Sequence, residues 1–284
     1  MSRLGDIAEA LKLEHTIFAL PFAYLGVWVA AKGNPAFSTV GWVTLAMVTG
    51  RTSGMALNRL VDLPLDRLNP RTKEWPVSAG RVKPSFLAVL TLGAVSLFFL
   101  SARKLNPLCL KLSPFVLLLV LLYPYLKRFT WACHFWLGLV LACAPVAGWL
   151  AVTDRWDARV LPLFLGVLFW VAGFDILYAL LDLDFDRRQG VYSIPQRFGL
   201  NTSLVLSSFC HGLATLSFGW FGWVAGQGGW FFSGLVLVAG LLFYEHLLVK
   251  PSRLDRINKA FFTVNGWISV SLFFFTLLDL KILP

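Results

Sequence analysis

The chain has 284 residues, 57% of them hydrophobic and only 14% charged, with a mean hydropathy of +0.71. Soluble domains carry about 25% charged residues, so a water-soluble globular domain is excluded, and 25 Phe with 12 Trp exclude a disordered chain. The formal charge of +10 is not a nucleic-acid footprint, because Lys and Arg stand between apolar runs, where they fix membrane orientation and meet anionic lipid.

In chain order, MSRLGDIAEALKLEH is polar and amphipathic, and no small-residue cleavage site follows the first apolar stretch. It is expected as a retained helix, not a signal peptide. Nine apolar stretches follow, at about 15–32, 38–58, 84–102, 108–126, 131–152, 160–181, 202–223, 229–249 and 260–279. A bilayer crossing takes about 20 apolar residues, and the stretches lack the period-2 alternation of barrel strands. The expected fold is therefore all-α, a polytopic bundle of nine transmembrane helices, with residues 1–284 as one transmembrane domain. With the N-terminus in the cytoplasm, seventeen of the 25 Lys and Arg fall in inside segments and seven in outside ones, Arg51 lying within a span. That bias predicts an N-in, C-out orientation.

Cys109, Cys133, Cys143 and Cys210 lie in or beside apolar runs without paired spacing, and are read as reduced small hydrophobes. His15, His134, His211 and His246 are scattered and form no ligand spacing; Gly26, Gly54, Gly138, Gly148 and Gly266 suggest close helix packing, and Pro21, Pro114, Pro145 and Pro162 kinks or helix starts.

Two inside loops, about 59–83 and 182–201, are long and polar and hold six of the 15 acidic residues. Long loops in compact folds are usually functional or disordered, and these are read as functional. The first is introduced by Asn58-Arg-Leu-Val-Asp62-Leu-Pro-Leu-Asp66, whose four-residue spacing puts three side chains on one face if the helix continues that far. The second is introduced by Tyr178-Ala-Leu-Leu-Asp182-Leu-Asp184-Phe-Asp186, in which Asp182 and Asp186 repeat the spacing, while Asp184 points elsewhere and is read as a solvated acid. Acids at a membrane edge are costly, and two such motifs at one depth make an oxygen-rich site suited to Mg²⁺. Arg67, Arg71, Lys73, Lys127, Arg128 and Arg187 could hold the charge of a diphosphate. Arg51 and Asp175 each precede a motif by seven residues, about 10.5 Å deeper on the same face, and are expected in one buried network. It either clamps two helices or binds substrate.

At these residues the chain resembles the UbiA superfamily of intramembrane aromatic prenyltransferases, and within it the 4-hydroxybenzoate branch. The stretches that carry the likeness are KLEHTIFALPFAYLG (12–26), NRLVDLPLDRLNPRTKEWPVSAGRV (58–82), YPYLKRFTWACH (123–134), APVAGWLAVT (144–153), FDILYALLDLDFDRRQGVYSIPQRFG (174–199) and INKAFFTVNGWISV (257–270). The resemblance implies nine helices around a central cavity in which Mg²⁺ holds the diphosphate of a polyprenyl donor between the two motifs. Carried over, Asn58, Asp62, Asp66, Asp182 and Asp186 are the metal residues, the four aspartates being catalytic. Many members read NDxxDxxxD where Arg59 stands here. Lys127 and Arg128 resemble a basic pair facing diphosphate or acceptor, and Arg51, Asp175 and Tyr178 are expected around the acceptor.

The implied activity is Mg²⁺-dependent transfer of a polyprenyl group to the ring of 4-hydroxybenzoate in ubiquinone synthesis. The partners would be polyprenyl diphosphate, a small aromatic acid and the bilayer, with no nucleic acid. The location would be a bacterial inner membrane, with the site facing the cytoplasm. The same chemistry on a naphthol or naphthoate acceptor of menaquinone synthesis is the alternative. A secondary transporter is a distant one, since transporters place acids near the membrane centre in broken helices. A soluble-type prenyl diphosphate synthase is at odds with the hydropathy. Single cysteines placed in 59–83 and in 182–201 should be labelled from the same side of sealed vesicles; labelling from opposite sides would overturn a shared site.

Overall fold

The structure is a computed structural model that describes residues 3–12, 16–249, 257 and 263–282. His15 and residues 260–262 of the last apolar stretch lie outside the described residues. Among the described residues the chain is helical and without strands. A short helix, α1 (Arg3–Leu11), leads into α2 (Thr16–Ala30) and α3 (Phe37–Leu68). Helices α4 (Pro84–Leu105), α5 (Pro107–Leu126), α6 (Cys133–Thr153) and α7 (Leu161–Ala179) follow. A 3₁₀ turn at Leu180–Asp182 joins α7 to the short α8 (Leu183–Gln189), and α9 (Ile194–Val224), α10 (Gly229–Leu248) and α11 (Asn265–Ile282) complete the bundle.

Helices α2–α7 and α9–α11 coincide with the nine apolar stretches. Among the described residues six helical runs are long and apolar enough to cross a membrane: α4, α5, α6, the run Ala158–Gln189, α9 and α10. Large apolar side chains such as Val89, Leu92, Leu216, Trp223 and Val236 face outwards, as a lipid-facing surface requires. The chain is an integral membrane protein.

Two boundaries differ from the sequence reading. The polar loop expected from residue 59 begins only after Leu68, because α3 runs through Pro64 and stops where Asn69, preceding Pro70, takes an extended conformation. The segment 182–201 is mostly helical as well. Gly190 ends α8 with φ 67°, and Ser193 starts α9, its hydroxyl accepting from the Gln196 amide.

The core is built around α7. Trp170 and Phe218 sit fully buried against Phe22, with ring centroids 5.0 and 5.6 Å away from it. Helices α2 and α6 meet almost backbone to backbone: a Cβ on Gly26 would collide with the Pro145 carbonyl, and one on Gly148 with the Ala23 carbonyl. The four free cysteines form no disulfide. Gly26→Ala and Gly148→Ala should each lower the melting temperature in detergent or prevent accumulation of folded protein, since one facing backbone must move. Gly93→Ala, with open space around it, should leave melting unchanged.

Candidate active site

The two aspartate motifs meet at one end of the bundle. The last two turns of α3 supply Asp62 and Asp66, while the 3₁₀ turn after α7 supplies Asp182 and α8 supplies Asp186. All four, with Asn58, line a polar chamber of about 270 Å³. The motif spacing read from the sequence puts Asn58, Asp62 and Asp66 on one face because α3 continues past them. Asp182 and Asp186 share the chamber although the first closes the 3₁₀ turn and the second lies within α8. Asp184 is exposed.

Each carboxylate is met by a partner. Asp62, 2% exposed, accepts from Lys127 Nζ at 2.5 Å and Arg128 Nη1 at 3.2 Å. Arg128 is itself held by the Pro124 and Val61 carbonyls. Asp66 pairs with Arg59 at 3.0 Å, and Asp186 accepts from the Ser193 hydroxyl at 2.9 Å. Asp182 takes a forked Arg71, Nε at 2.9 Å and Nη2 at 2.5 Å, together with Asn69 Nδ2 at 2.8 Å.

The loop after α3 is folded to deliver Arg71. Asn69 Oδ1 accepts the Arg71 amide in an Asx turn, and the Thr72 hydroxyl donates to the Asp66 carbonyl at the end of α3. Arg71 also donates to Tyr178 Oη at 3.1 Å. Burial works against the charge of Arg71, yet Asp182 and Tyr178 raise its pKa above the ordinary arginine value. Trp75 lies beneath three cations, with Arg59 4.2 Å and both Lys12 and Arg71 5.3 Å from its ring centre. Arg81 ties the same loop to α1 through Asp6 at 3.0 Å.

Not all the expected cations are here. Arg67, Lys73 and Arg187 are exposed and stand outside the chamber. Arg67 and Arg187 each follow a site aspartate by one residue, about 100° round the helix, and so turn outwards. Arg59, Asn69, Trp75, Tyr123, His134 and Ser193 line the chamber although the sequence reading gave them no role there. The nearest signal was Arg59 standing at the place of an aspartate in the motif. The expected Arg51–Asp175 pairing is not formed: Arg51 donates to the Lys12 carbonyl at 3.3 Å, while Asp175 pairs with His134 at 2.7 Å. His211 and His246, read as isolated, touch one another at 2.9 Å beside Glu245.

Arg51, Asp175 and Tyr178 all border the polar chamber, and Arg51, Met55, Asn58 and Tyr123 also line a second, adjoining chamber of about 380 Å³. Its walls are almost wholly apolar, from α3, α4, α5 and α6, with Gly50 and Gly54 leaving room along α3. A side chain on Gly54 would strike Val120.

The donor set fits a hard cation that takes carboxylate and amide oxygens. Among the described residues no three His, Cys, Asp or Glu side chains are gathered closely enough to hold a metal ion, and Lys127, Arg128 and Arg71 occupy Asp62 and Asp182.

An apolar bundle with two aspartate motifs over an apolar chamber defines an intramembrane prenyl-transfer enzyme, and residues 19–275 match the UbiA prenyltransferase family. The chain belongs to that family, and the transporter reading falls with it. It is 30% identical over 283 residues to the 4-hydroxybenzoate octaprenyltransferase of Marinobacter nauticus, covering 98% of this chain and 96% of that protein. It is 31% identical over 259 residues to the enzyme of that name from Coxiella burnetii, covering 90% and 88%. Among solved structures, a UbiA homologue from Aeropyrum pernix K1 in its apo form superposes with a TM-score of 0.85 at 32% identity, covering 94% of this chain and 98% of that one. A UbiA homologue from Archaeoglobus fulgidus bound to DMAPP and Mg²⁺ shares the fold, with a TM-score of 0.74 at 16% identity, covering 98% and 100%.

The Arg71–Asp182 fork holds the loop 69–83 onto the site. Asp182→Asn should therefore speed tryptic cleavage after Arg71 and Lys73 roughly tenfold, as a charge-assisted hydrogen bond is worth about 1.5–3 kcal/mol. An unchanged cleavage rate would show that the loop is held by other contacts.

Proposed function

We propose that the whole chain, residues 1–284, is one prenyltransferase domain that moves a polyprenyl group from polyprenyl diphosphate to the ring of 4-hydroxybenzoate in lipoquinone synthesis. The observation that carries this reading is the junction of the two chambers. A charged head group fits only the chamber of Asp62, Asp66, Asp182 and Asp186, and an allylic hydrocarbon tail fits only the apolar chamber beyond Asn58 and Tyr123. Relatives named 4-hydroxybenzoate octaprenyltransferase, aligned over most of the chain, support the acceptor. The membrane is read as a bacterial inner membrane crossed nine times, N-in and C-out, with the site at the cytoplasmic edge; the excess of Lys and Arg in the expected inside segments supports this.

Asn58, Asp62, Asp66, Asp182 and Asp186 would hold Mg²⁺, which when bound would supply charge stabilisation for the departing diphosphate. The chain's own cations do the rest. Lys127, Arg128 and Arg71 neutralise the aspartates here and are placed to turn to diphosphate oxygens, so charge is exchanged between partners without exposing any of it to apolar surroundings. Arg59 keeps Asp66 oriented through its contact with Trp75. Breaking the donor's C–O bond leaves an allylic cation at the neck between the chambers, where apolar walls exclude water. Arg51 at that neck receives the acceptor's carboxylate, and Asp175 with Tyr178 orients its phenol. The ring carbon ortho to the hydroxyl attacks, a C–C bond forms, and the ring proton leaves.

Purified protein supplied with Mg²⁺, a long polyprenyl diphosphate, and 4-hydroxybenzoate in competition with a hydroxynaphthoate should give the prenylated hydroxybenzoate by mass. A product formed only from the naphthoate would overturn the acceptor. Asp62→Ala, Asp66→Ala, Asp182→Ala and Asp186→Ala should each lose most of this activity, and Asp184→Ala little. Near-normal turnover in all five would overturn the metal–diphosphate site.

A further inference from the structure

His134 occupies the first turn of α6, is 3% exposed, and borders the polar chamber. Its ring is bonded on both sides. Nδ1 lies 2.7 Å from Asp175 Oδ2 on α7, and Nε2 lies 3.2 Å from the backbone nitrogen of Ile194, the first residue of α9. A backbone N–H can only donate, so Nε2 carries the lone pair and Nδ1 the proton. The imidazole is thereby held by both its nitrogens, with Nδ1 directed at a single oxygen of Asp175. The other oxygen, Oδ1, has no hydrogen bond among the described residues, and the side chain borders the chamber with Tyr178 and Tyr123.

The anchor of this ring carries a second connection. Ser193, one residue before Ile194, donates its hydroxyl to Asp186. The dipeptide Ser193-Ile194 therefore touches a donor-site carboxylate through a side chain and the Asp175 side of the chamber through a backbone amide and one imidazole. The two carboxylates belong to one rigid frame at the start of α9.

We infer that His134 is a positioning residue for acceptor prenylation: it locks Asp175 with Oδ1 presented to the acceptor hydroxyl, in register with the Asp186 side of the site. This rests on the reading that Asp175 faces the acceptor. A buried histidine that merely clasped α6, α7 and α9 would be indifferent to which substrate is varied; a positioning residue is not.

Two substitutions separate the arms of the ring. His134→Asn keeps a donor for Asp175, whereas His134→Gln keeps an acceptor for the Ile194 amide and loses the directed donor. With the purified full chain, His134→Gln should lower kcat/KM for 4-hydroxybenzoate about tenfold, the weight of one hydrogen bond to a charged group, while the KM for polyprenyl diphosphate stays unchanged. His134→Asn should retain most of the acceptor kcat/KM. In an Asp175→Asn background His134→Gln should have no further effect, because its influence passes through that carboxylate. Equal losses towards both substrates, or additive losses in the double variant, would overturn the inference while leaving Asp175 as an acceptor contact. Unchanged acceptor kinetics in Asp175→Asn alone would overturn both the acceptor role of Asp175 and the inference built on it. Should His134→Gln fail to accumulate as folded protein, His134→Asn decides: an acceptor-selective loss as large as that of Asp175→Asn overturns the inference, and retention supports it.

Discussion

Charge held at the edge of an apolar bundle has to be paired, and most polar side chains at this end of the molecule are where they are for that reason. An isolated intramembrane carboxylate or guanidinium costs at least ~2.5 kcal/mol, and breaking one half of a buried pair costs more than the pair contributes. Asp62, the most enclosed of the site acids, accordingly has two cations, and Asp182 has a guanidinium fork backed by an amide. The pairing also dictates backbone structure. Arg71 reaches Asp182 only because Asn69 turns the chain sharply after α3, and Asn69 itself donates to the same carboxylate. The loop beyond α3 is thus part of the charge arrangement and not a connector laid over it.

This constraint explains what the sequence disclosed and what it withheld. Apolar runs as long as a bilayer is thick are unmistakable, and the described parts of the nine runs fall mostly on helices. The ends of those helices were less legible, because a hydropathy pattern stops where side chains become polar, whereas the backbone stops where a cap or a proline stops it. Arg59 to Leu68 is polar yet helical, and only Asn69-Pro70 breaks it. Four-residue spacing made the aspartates visible, since periodicity on a single helix is local information. Their counterions were only half legible. Lys127, Arg128 and Arg71 come from other segments, and nothing local separates them from Arg67, Lys73 and Arg187, which share the composition but turn outwards. Arg59 and Trp75 form part of the site through a contact between α3 and the following loop that has no sequence period. His134 was passed over for the same reason: its partners are 41 and 60 residues away.

The rigid and the open sides of the molecule are distributed unevenly. On one side α2 and α6 meet through glycines and α7 is the most deeply buried of the apolar spans, with Trp170 and Phe218 filling the space between helices. On the other, α4 and α5 each bury only 22% of their apolar span and form an outer wall of the apolar chamber. Asp175 and Asp182 take their orientation from the packed side, since α7 carries the first and leads into the second, whereas Asp62 and Asp66 stand on α3, which packs against α4 and α5.

That thin wall bears on what can be recognised. A prenyl tail dissolved in a bilayer is already in surroundings as apolar as the leucines and phenylalanines around the chamber. The familiar gain of about 0.8 kcal/mol per buried methylene is measured against water; measured against a hydrocarbon solvent it is close to nothing. Lengthening the tail therefore adds little affinity in either direction. Selection of the donor falls to its charged end, and any preference for tail length must come from the shape of the chamber, not from its greasiness.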